Sequence, residues 1–525
     1  MKERFQVLDF KILALIIYFV AMLSIGIVMF LRSKTQNDKD YFLGGRAMGP
    51  WVTAMSAQAS DMSAWLLMGL PGSVLAFGLG QAWIGIGLAL GTALNWILIA
   101  KRLRKFSQAA NDSITLPQYL TNRFATKSKA LQVTCAVIFL VCFTLYVASA
   151  FRAGAKVFNS IFAVEEGRAM LIFAVVLILY TFLGGYKAVC WTDFFQGLLM
   201  IVAVLAVPII VVLSSELILD KTALDTVVTV TNPYSGELIQ EYSFVKNLFS
   251  APPAEIASGL AWGLGYFGMP HILVRFMSIE KPSMVKKSAI VAIVWVVLAL
   301  GAVIVIAIMG RMIIGEELLN VVENINPDTV LKTYENNQEM VFVELADRLF
   351  PAFIAGILLA AIIAASMSTA DSQLLVASSS FTSDIYKPIL RKNATDKETL
   401  WVGRGVVIIV SIVAYFIASS KSEGAQAIMD LVEMAWGGFG SAFGPVVILS
   451  VFWRRFTYKG ALAGVIAGAA ADVLWLVFLS GTGIYEIIPG FAVGMLAAVV
   501  ATLLDKEPAK DVTDIFDKAI ADSDI

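Results

Sequence analysis

Histidine is almost missing from this chain: His271 is the only one in 525 residues. A single imidazole builds no His-rich metal or haem site. Cysteine is nearly as scarce. Cys135, Cys142 and Cys190 fall inside apolar segments, at spacings that give neither a disulfide framework nor a metal-binding pattern. With so few such groups, no nucleophile–base pair can be read from the sequence. Charge is low too. Asp, Glu, Lys and Arg make up 15% of the residues, where soluble domains carry roughly 25%. The net charge of −1 implies no nucleic-acid partner, because phosphate backbones are met by a strong basic excess. The chain does not open on a typical signal peptide. Its apolar run from Ile12 to Leu31 is too long for an h-region, and no small-residue cleavage site follows.

What the chain has is apolar length. Hydrophobic residues make up 58% of it. Apolar segments fall at about 10–31, 50–77, 80–100, 129–158, 167–184, 190–214, 255–277, 287–313, 345–381, 400–419, 426–453, 459–481 and 486–504. Each is near the roughly 20 residues needed to cross a bilayer, so an all-α polytopic membrane protein of about 13 transmembrane helices is expected, with lipid around it. Lys and Arg cluster in alternate loops: 32–49, 101–128, the Lys281–Lys287 stretch, 387–397 and 454–459. The positive-inside rule makes that side cytoplasmic. The N-terminus is then outside and the C-terminus inside. The loops 215–254 and 314–344 are acidic and fall outside. Loop 215–254 alternates Val and Thr, then passes through Asn232-Pro233 and Ser235-Gly236, which suggests a small β-hairpin. The tail 505–525 reads as a short solvated helix or a disordered, solubilising end.

One stretch organises the rest. Trp51–Phe77 is long and apolar enough to span, yet carries Asp61 near its middle. A charge at that depth costs from about 3 to more than about 10 kcal/mol unless it is partnered or wet. Ser56, Ser60, Ser63, Gly69, Pro71 and Gly72 surround it. Small, polar and helix-breaking residues suit a discontinuous helix, whose freed carbonyls are tolerated in a membrane only where they line a cavity or hold an ion. The plainer reading is a kinked packing helix whose Asp caps a neighbour.

A second such stretch lies five spans later. In AWGLGYFGMPHILVRF (Ala261–Phe276), Gly263, Gly265, Gly268 and Pro270 interrupt the helix. Trp262 and Tyr266 are four residues apart and share a face. Two interrupted spans in corresponding positions point to an inverted-repeat transporter with substrate and ion at the breaks. The repeats would be spans two to six and seven to eleven. The domain plan is then an extra helix and loop (1–49), first repeat (50–214), outer loop (215–254), second repeat (255–453), two further helices (454–504) and tail (505–525).

The ninth span contains AAIIAASMSTADSQLL. Ala365, Ser368 and Thr369 stand at i, i+3 and i+4, on one helix face. Two hydroxyls and a freed carbonyl are hard oxygen donors without full charge, suited to a monovalent cation that must also leave. The alternative is that these hydroxyls bond back to their own helix. In the twelfth span Gly460, Gly464 and Gly468 form a close-packing face. In the eleventh, AWGGFGSAFGP (Ala435–Pro445) is either a hinge or tight packing.

From Asp40 to Phe491 the chain resembles the sodium/solute symporter family, and its proline-carrying branch most of all. The resemblance rests on DYFLGGRAMGP, SDMSAWLLMGLPG, WGLGYFGMPHILVRFM, MSTADSQLL, AWGGFGSAFGPVV and YEIIPGF. It implies a LeuT-like core of two inverted five-helix repeats with two broken helices, and sodium-coupled uptake of L-proline by alternating access. Carried residue by residue, it implies a sodium site from Ala59, Met62, Ala365, Ser368 and Thr369, with Asp61 the carboxylate that serves coupling. It implies a proline site from Ser63, Trp65, Tyr146, Trp262, Tyr266 and Pro270. Asp193 matches an acidic position of the family, and together with Asp371 and Ser372 it is a candidate second cation site.

Two other classes fit the sequence less well. A symporter for a sugar, pantothenate or sialic acid would want more hydrogen-bonding side chains at the breaks than this aromatic, small-residue lining offers. A membrane enzyme or sensor would need a catalytic constellation or an output domain, and neither is visible.

Overall fold

The computed structural model describes residues 2–32, 38–162, 164–183, 185–214, 217, 219–231, 238–319, 337–420 and 427–521. Among the described residues the structure is mostly helical, with one small hairpin. In order, the helices are α1 (Lys2–Arg32), α2 (Pro50–Asp61), α3 (Leu70–Phe77), α4 (Ala82–Ala109), α5 (Leu116–Arg123), α6 (Ala130–Phe162), α7 (Glu166–Leu183) and α8 (Tyr186–Leu213). There follow α9 (Pro253–Ala261), α10 (Pro270–Ser278), α11 (Val285–Leu319), α12 (Val341–Leu349), α13 (Ala352–Ser380), α14 (Asp396–Ala418), α15 (Ile428–Phe452), α16 (Tyr458–Phe478), α17 (Ile487–Leu504) and α18 (Lys510–Ala521). Among the described residues, ten helices are long and apolar enough to cross a membrane. The other three apolar segments of the sequence form α7 and the two broken helices, α2–α3 and α9–α10.

Burial sorts the helices into layers. α2, α10 and α13 lie at the centre. Every residue of α10 is buried, and so is every residue of α13 from Leu358 on. α2 packs on α8, α10, α11 and α13. Peripheral helices expose large apolar side chains instead, such as Ile16, Ile17 and Val20 of α1 and Val473, Leu474 and Val477 of α16. In water such a surface would be unstable. In hydrocarbon it is the expected outer face.

Local chemistry accounts for most boundaries. Pro50, Pro253 and Pro270 each stand in the first turn of their helix, where a missing N–H costs nothing. The ninth apolar segment, expected at 345–381, divides at Phe350–Pro351, and helix α13 begins only at Ala352. Phe350 adopts φ −122°, ψ 149°, because a residue before proline is driven out of the helical region. The expected hairpin forms, with β1 (Val228–Thr231) antiparallel to β2 (Leu238–Tyr242). Its turn at Asn232–Gly236 lies outside the described residues.

Two sequence ambiguities resolve as packing. α15 runs unbroken through Ala435–Pro445. A Cβ on Gly440 would stand 2.5 Å from Ile487 Cδ1, and one on Gly468 of α16 would stand 2.1 Å from Ser441 O. Glycine is therefore required for close approach. The tail departs from its solvated reading. α18 docks on the end of α4 by burying Val512, Phe516 and Ala519, which share one face. Phe516 packs edge-on against Phe106 (5.1 Å), and Arg123 Nη1 donates to Val512 O (3.1 Å).

Candidate functional site

The break after α2 is written in its hydrogen bonds. A regular helix would send Ser63 N–H to Ala59 O. Ser63 N–H instead reaches Asp61 O (3.0 Å), and Leu66 N–H reaches Ser63 O (3.1 Å). Met62 leaves the helix at φ −81°, ψ 76°. Ala59 O, excluded from the ladder, is met across the repeat boundary by Ser368 Oγ (2.8 Å) and Thr369 Oγ1 (3.5 Å) of α13. Ser368 Oγ also lies 3.2 Å from Ala365 O of its own helix. Both readings of that hydroxyl therefore hold: it bonds back and it bonds across. Ala59, Met62, Ala365, Ser368 and Thr369 are all buried.

Asp61 is the hub of the next layer. Tyr266 Oη donates to Asp61 Oδ2 (2.6 Å), while Tyr146 Oη (3.2 Å) and Trp65 Nε1 (3.3 Å) donate to Asp61 O. A carboxylate from one broken helix thus meets a phenol from the other, at a depth where an isolated charge would be prohibitive. Asp61 Oδ1 has no partner among the described residues, and neither does either ring nitrogen of the buried His271. Ser63 Oγ accepts from Trp65 N–H (3.4 Å). Pro270 opens α10, whose N-terminus carries no side-chain cap.

Trp262 stands apart from that hub. Its ring faces Trp436 (6.1 Å) and Tyr485 (5.2 Å), and its carbonyl accepts from Trp436 Nε1 (2.8 Å). Trp436 in turn meets Tyr266 edge-on (5.1 Å). These rings connect Trp262 to Tyr266 of the hub through Trp436. A Cβ on Gly265 would stand 1.8 Å from Trp436 Nε1, which is why the break must be glycine there.

Asp193, Asp371 and Ser372 are gathered as well, but around a residue the sequence reading passed over. Arg275 of α10 is 1% exposed and pairs with Asp193 Oδ2 (3.1 Å). It also donates to Ser372 Oγ, to Ser56 Oγ (3.1 Å) and to His271 O (2.7 Å). Asp193 Oδ2 further accepts from Ser56 Oγ (2.7 Å). Asp193 is therefore compensated by a resident guanidinium, whereas neither buried oxygen of Asp371 has a hydrogen-bond partner among the described residues. The signal was available: an arginine in a span carries the same default as an aspartate.

At the α10 end of the bundle Arg46 does comparable work. Read in the sequence only as one positive loop charge, it is 7% exposed. It donates to Asp112 Oδ1 (2.7 Å), Ser107 Oγ (3.1 Å), Ser113 O (2.8 Å) and Met277 O. Its φ of 54° is in the left-handed region, which costs a non-glycine residue about 1–3 kcal/mol. The clasp ties the loop before α2 to the ends of α4 and α10. Burial pulls the Asp112 carboxyl up, but its bonds to Lys39 and Arg46 outweigh that and hold it below the usual range.

The family model of the sodium:solute symporters matches residues 41–468. The chain belongs to the sodium:solute symporter family. It is 43% identical over 515 residues to a sodium/proline symporter of Haemophilus influenzae, covering 97% of this chain and 98% of that one. It is 42% identical to the sodium/proline symporter of Escherichia coli, over 96% and 95% of the two chains. It is 41% identical to a high-affinity proline transporter of Bacillus subtilis, over 94% and 98%. In structure it is similar to a sodium-coupled sialic acid symporter, with TM-score 0.71 at 19% identity over 95% and 99% of the chains. It is also similar to a nucleobase–cation symport transporter, with TM-score 0.52 at 13% identity over 91% and 97%. The architecture of this symporter chain is thus LeuT-like, with the two broken helices of the inverted repeats at its centre.

Proposed function

We propose that this chain carries L-proline into the cell with sodium, by alternating access across the cell membrane. The observation that carries the reading is the Ala59 carbonyl. It belongs to one repeat, has left its helix, and is met by two hydroxyls of the other repeat. Sodium binds at Ala59 O, the Met62 carbonyl, Ala365 O and the Ser368 and Thr369 hydroxyls. These donors converge in only one arrangement of the repeats, so the ion stabilises that arrangement over the other.

Proline binds beside Asp61, between Ser63, Trp65, Tyr146, Tyr266 and Pro270, under the Trp262 cover. Its carboxylate is taken by N–H groups at the uncapped start of α10, where the helix dipole favours an anion. Its ring packs on the aromatics. Asp61 orders the broken helix through Tyr266 and raises sodium affinity by its charge. The candidate second cation site draws its uncompensated charge from Asp371, because Arg275 already balances Asp193. The basic loops put the N-terminus outside and the C-terminus in the cytoplasm.

The close proline-carrying relatives support the substrate. The test is uptake of labelled proline into proteoliposomes with and without an inward sodium gradient. Accumulation above equilibrium with the gradient alone is expected. Equal uptake in both conditions overturns the reading.

A further inference from the structure

Two acidic side chains outside the residues discussed so far face each other at the end of the bundle that carries the β-hairpin loop. Asp472 lies one and a half turns from the end of α16, and Glu486 immediately precedes α17. They are 3% and 6% exposed. Asp472 Oδ1 accepts from Ser441 Oγ of α15 (2.8 Å). Glu486 Oε1 is buried with no hydrogen-bond partner among the described residues.

The two carboxyl groups converge because Gly437 of α15 has no side chain. A Cβ there would stand 3.0 Å from Asp472 Oδ1 and 3.2 Å from Glu486 Oε1. Gly490 of α17 makes room for Ser441 in the same way.

Among the described residues neither carboxylate forms an ion pair. The titratable neighbours are Glu433 and Asp430 of α15, Cys142 of α6 beside Gly438, and Tyr485, whose Oη donates to Glu433 O (3.0 Å). Two carboxylates this close in a dry site do not both keep their charge uncompensated.

We propose that Asp472 and Glu486 together bind one small cation, a proton or a sodium ion, with Ser441 Oγ as a third oxygen. The position links it to the substrate cover. Tyr485, next in sequence to Glu486, packs on Trp262, and Trp262 O accepts from Trp436. The bound cation holds the α16–α17 hairpin, with its tyrosine, on that cover.

The test is the unfolding temperature of the full chain in detergent, for wild type, Glu486→Gln and the double variant Asp472→Asn with Glu486→Gln. A proton bound between the two carboxyl groups stabilises the fold at low pH, and that stability is lost as pH rises. In choline buffer a proton therefore appears as a wild-type unfolding temperature that falls between pH 5 and 8, with a smaller fall in the amide variants. Sodium appears at pH 8 instead, as a rise on adding sodium chloride that exceeds the rise in the amide variants. The single variant keeps the test decisive if the double variant does not fold. Superimposable pH and sodium responses in wild type and amide variants overturn the proposal, whatever proline uptake does.

Discussion

Removing the Ser368 and Thr369 hydroxyls together asks most directly whether the ion couples the two repeats. Ser368→Ala with Thr369→Ala leaves Ala59 O without its two cross-repeat donors. Leaving a buried acceptor unpaired costs about 1–3 kcal/mol, which a protein of this size tolerates. The loss to sodium is of another kind. A bond to a charged group contributes about 1.5–3 kcal/mol, so each hydroxyl is worth about 10- to 100-fold in the sodium constant. The driving force is larger still. A tenfold sodium gradient supplies about 1.4 kcal/mol, and a potential of about 100 mV adds about 2.3 kcal/mol per charge. One sodium ion can then sustain roughly 500-fold accumulation of a zwitterion. The double variant is expected to reach the membrane at normal level and to lose that accumulation. The assay is labelled-proline uptake in proteoliposomes as sodium is varied, beside an immunoblot of the membrane fraction. A wild-type sodium constant and accumulation ratio would refute the assignment and turn attention to Asp371.

Four further outcomes are expected. Trp262→Ala should raise the half-saturating proline concentration several-fold at unchanged protein level; an unchanged constant in an uptake titration removes Trp262 from the substrate cover. Asp61→Asn keeps the bond from Tyr266 but removes the charge, so half-maximal uptake should need at least tenfold more sodium; normal sodium dependence returns Asp61 to a purely structural role. Arg275→Met leaves Asp193 buried and uncompensated, which costs about 3–5 kcal/mol; the unfolding temperature in detergent should drop sharply and recover in part when Asp193→Asn is added, and equal losses in both variants would contradict the pairing. Finally, the Asp112 carboxyl sits below its usual range, so its stabilising bonds are complete above about pH 4 and are lost only as pH falls through its folded value; the fractional effect of Asp112→Asn on uptake should be the same at pH 5.5 and 7.5.

The sequence alone determined the class of molecule, because membrane residence is a composition-scale property. No soluble fold could bury so many apolar segments. It also determined where the two helices break, since glycine, proline and an intramembrane aspartate act locally on backbone propensity. The facing hydroxyls of Ser368 and Thr369 were legible from helical spacing alone.

What tertiary structure decided were the partners, which depend on segments hundreds of residues apart. Helical spacing puts Arg275 on a face but does not say that Asp193 and Ser372 wait there. The local break frees Ala59 O, but no local signal says that the hydroxyls of α13 meet it. Arg46 looked like one loop charge among several, and its role as a clasp exists only because two distant chain segments converge on it. The glycines of Ala435–Pro445 could equally have made a hinge. They became close contacts because Asp472, Cys142, Ile487 and Phe491 pack where side chains would otherwise stand. Local chemistry sets what each segment can do. The fold sets which groups stand close enough, in a medium without water, for desolvation to make their pairing obligatory.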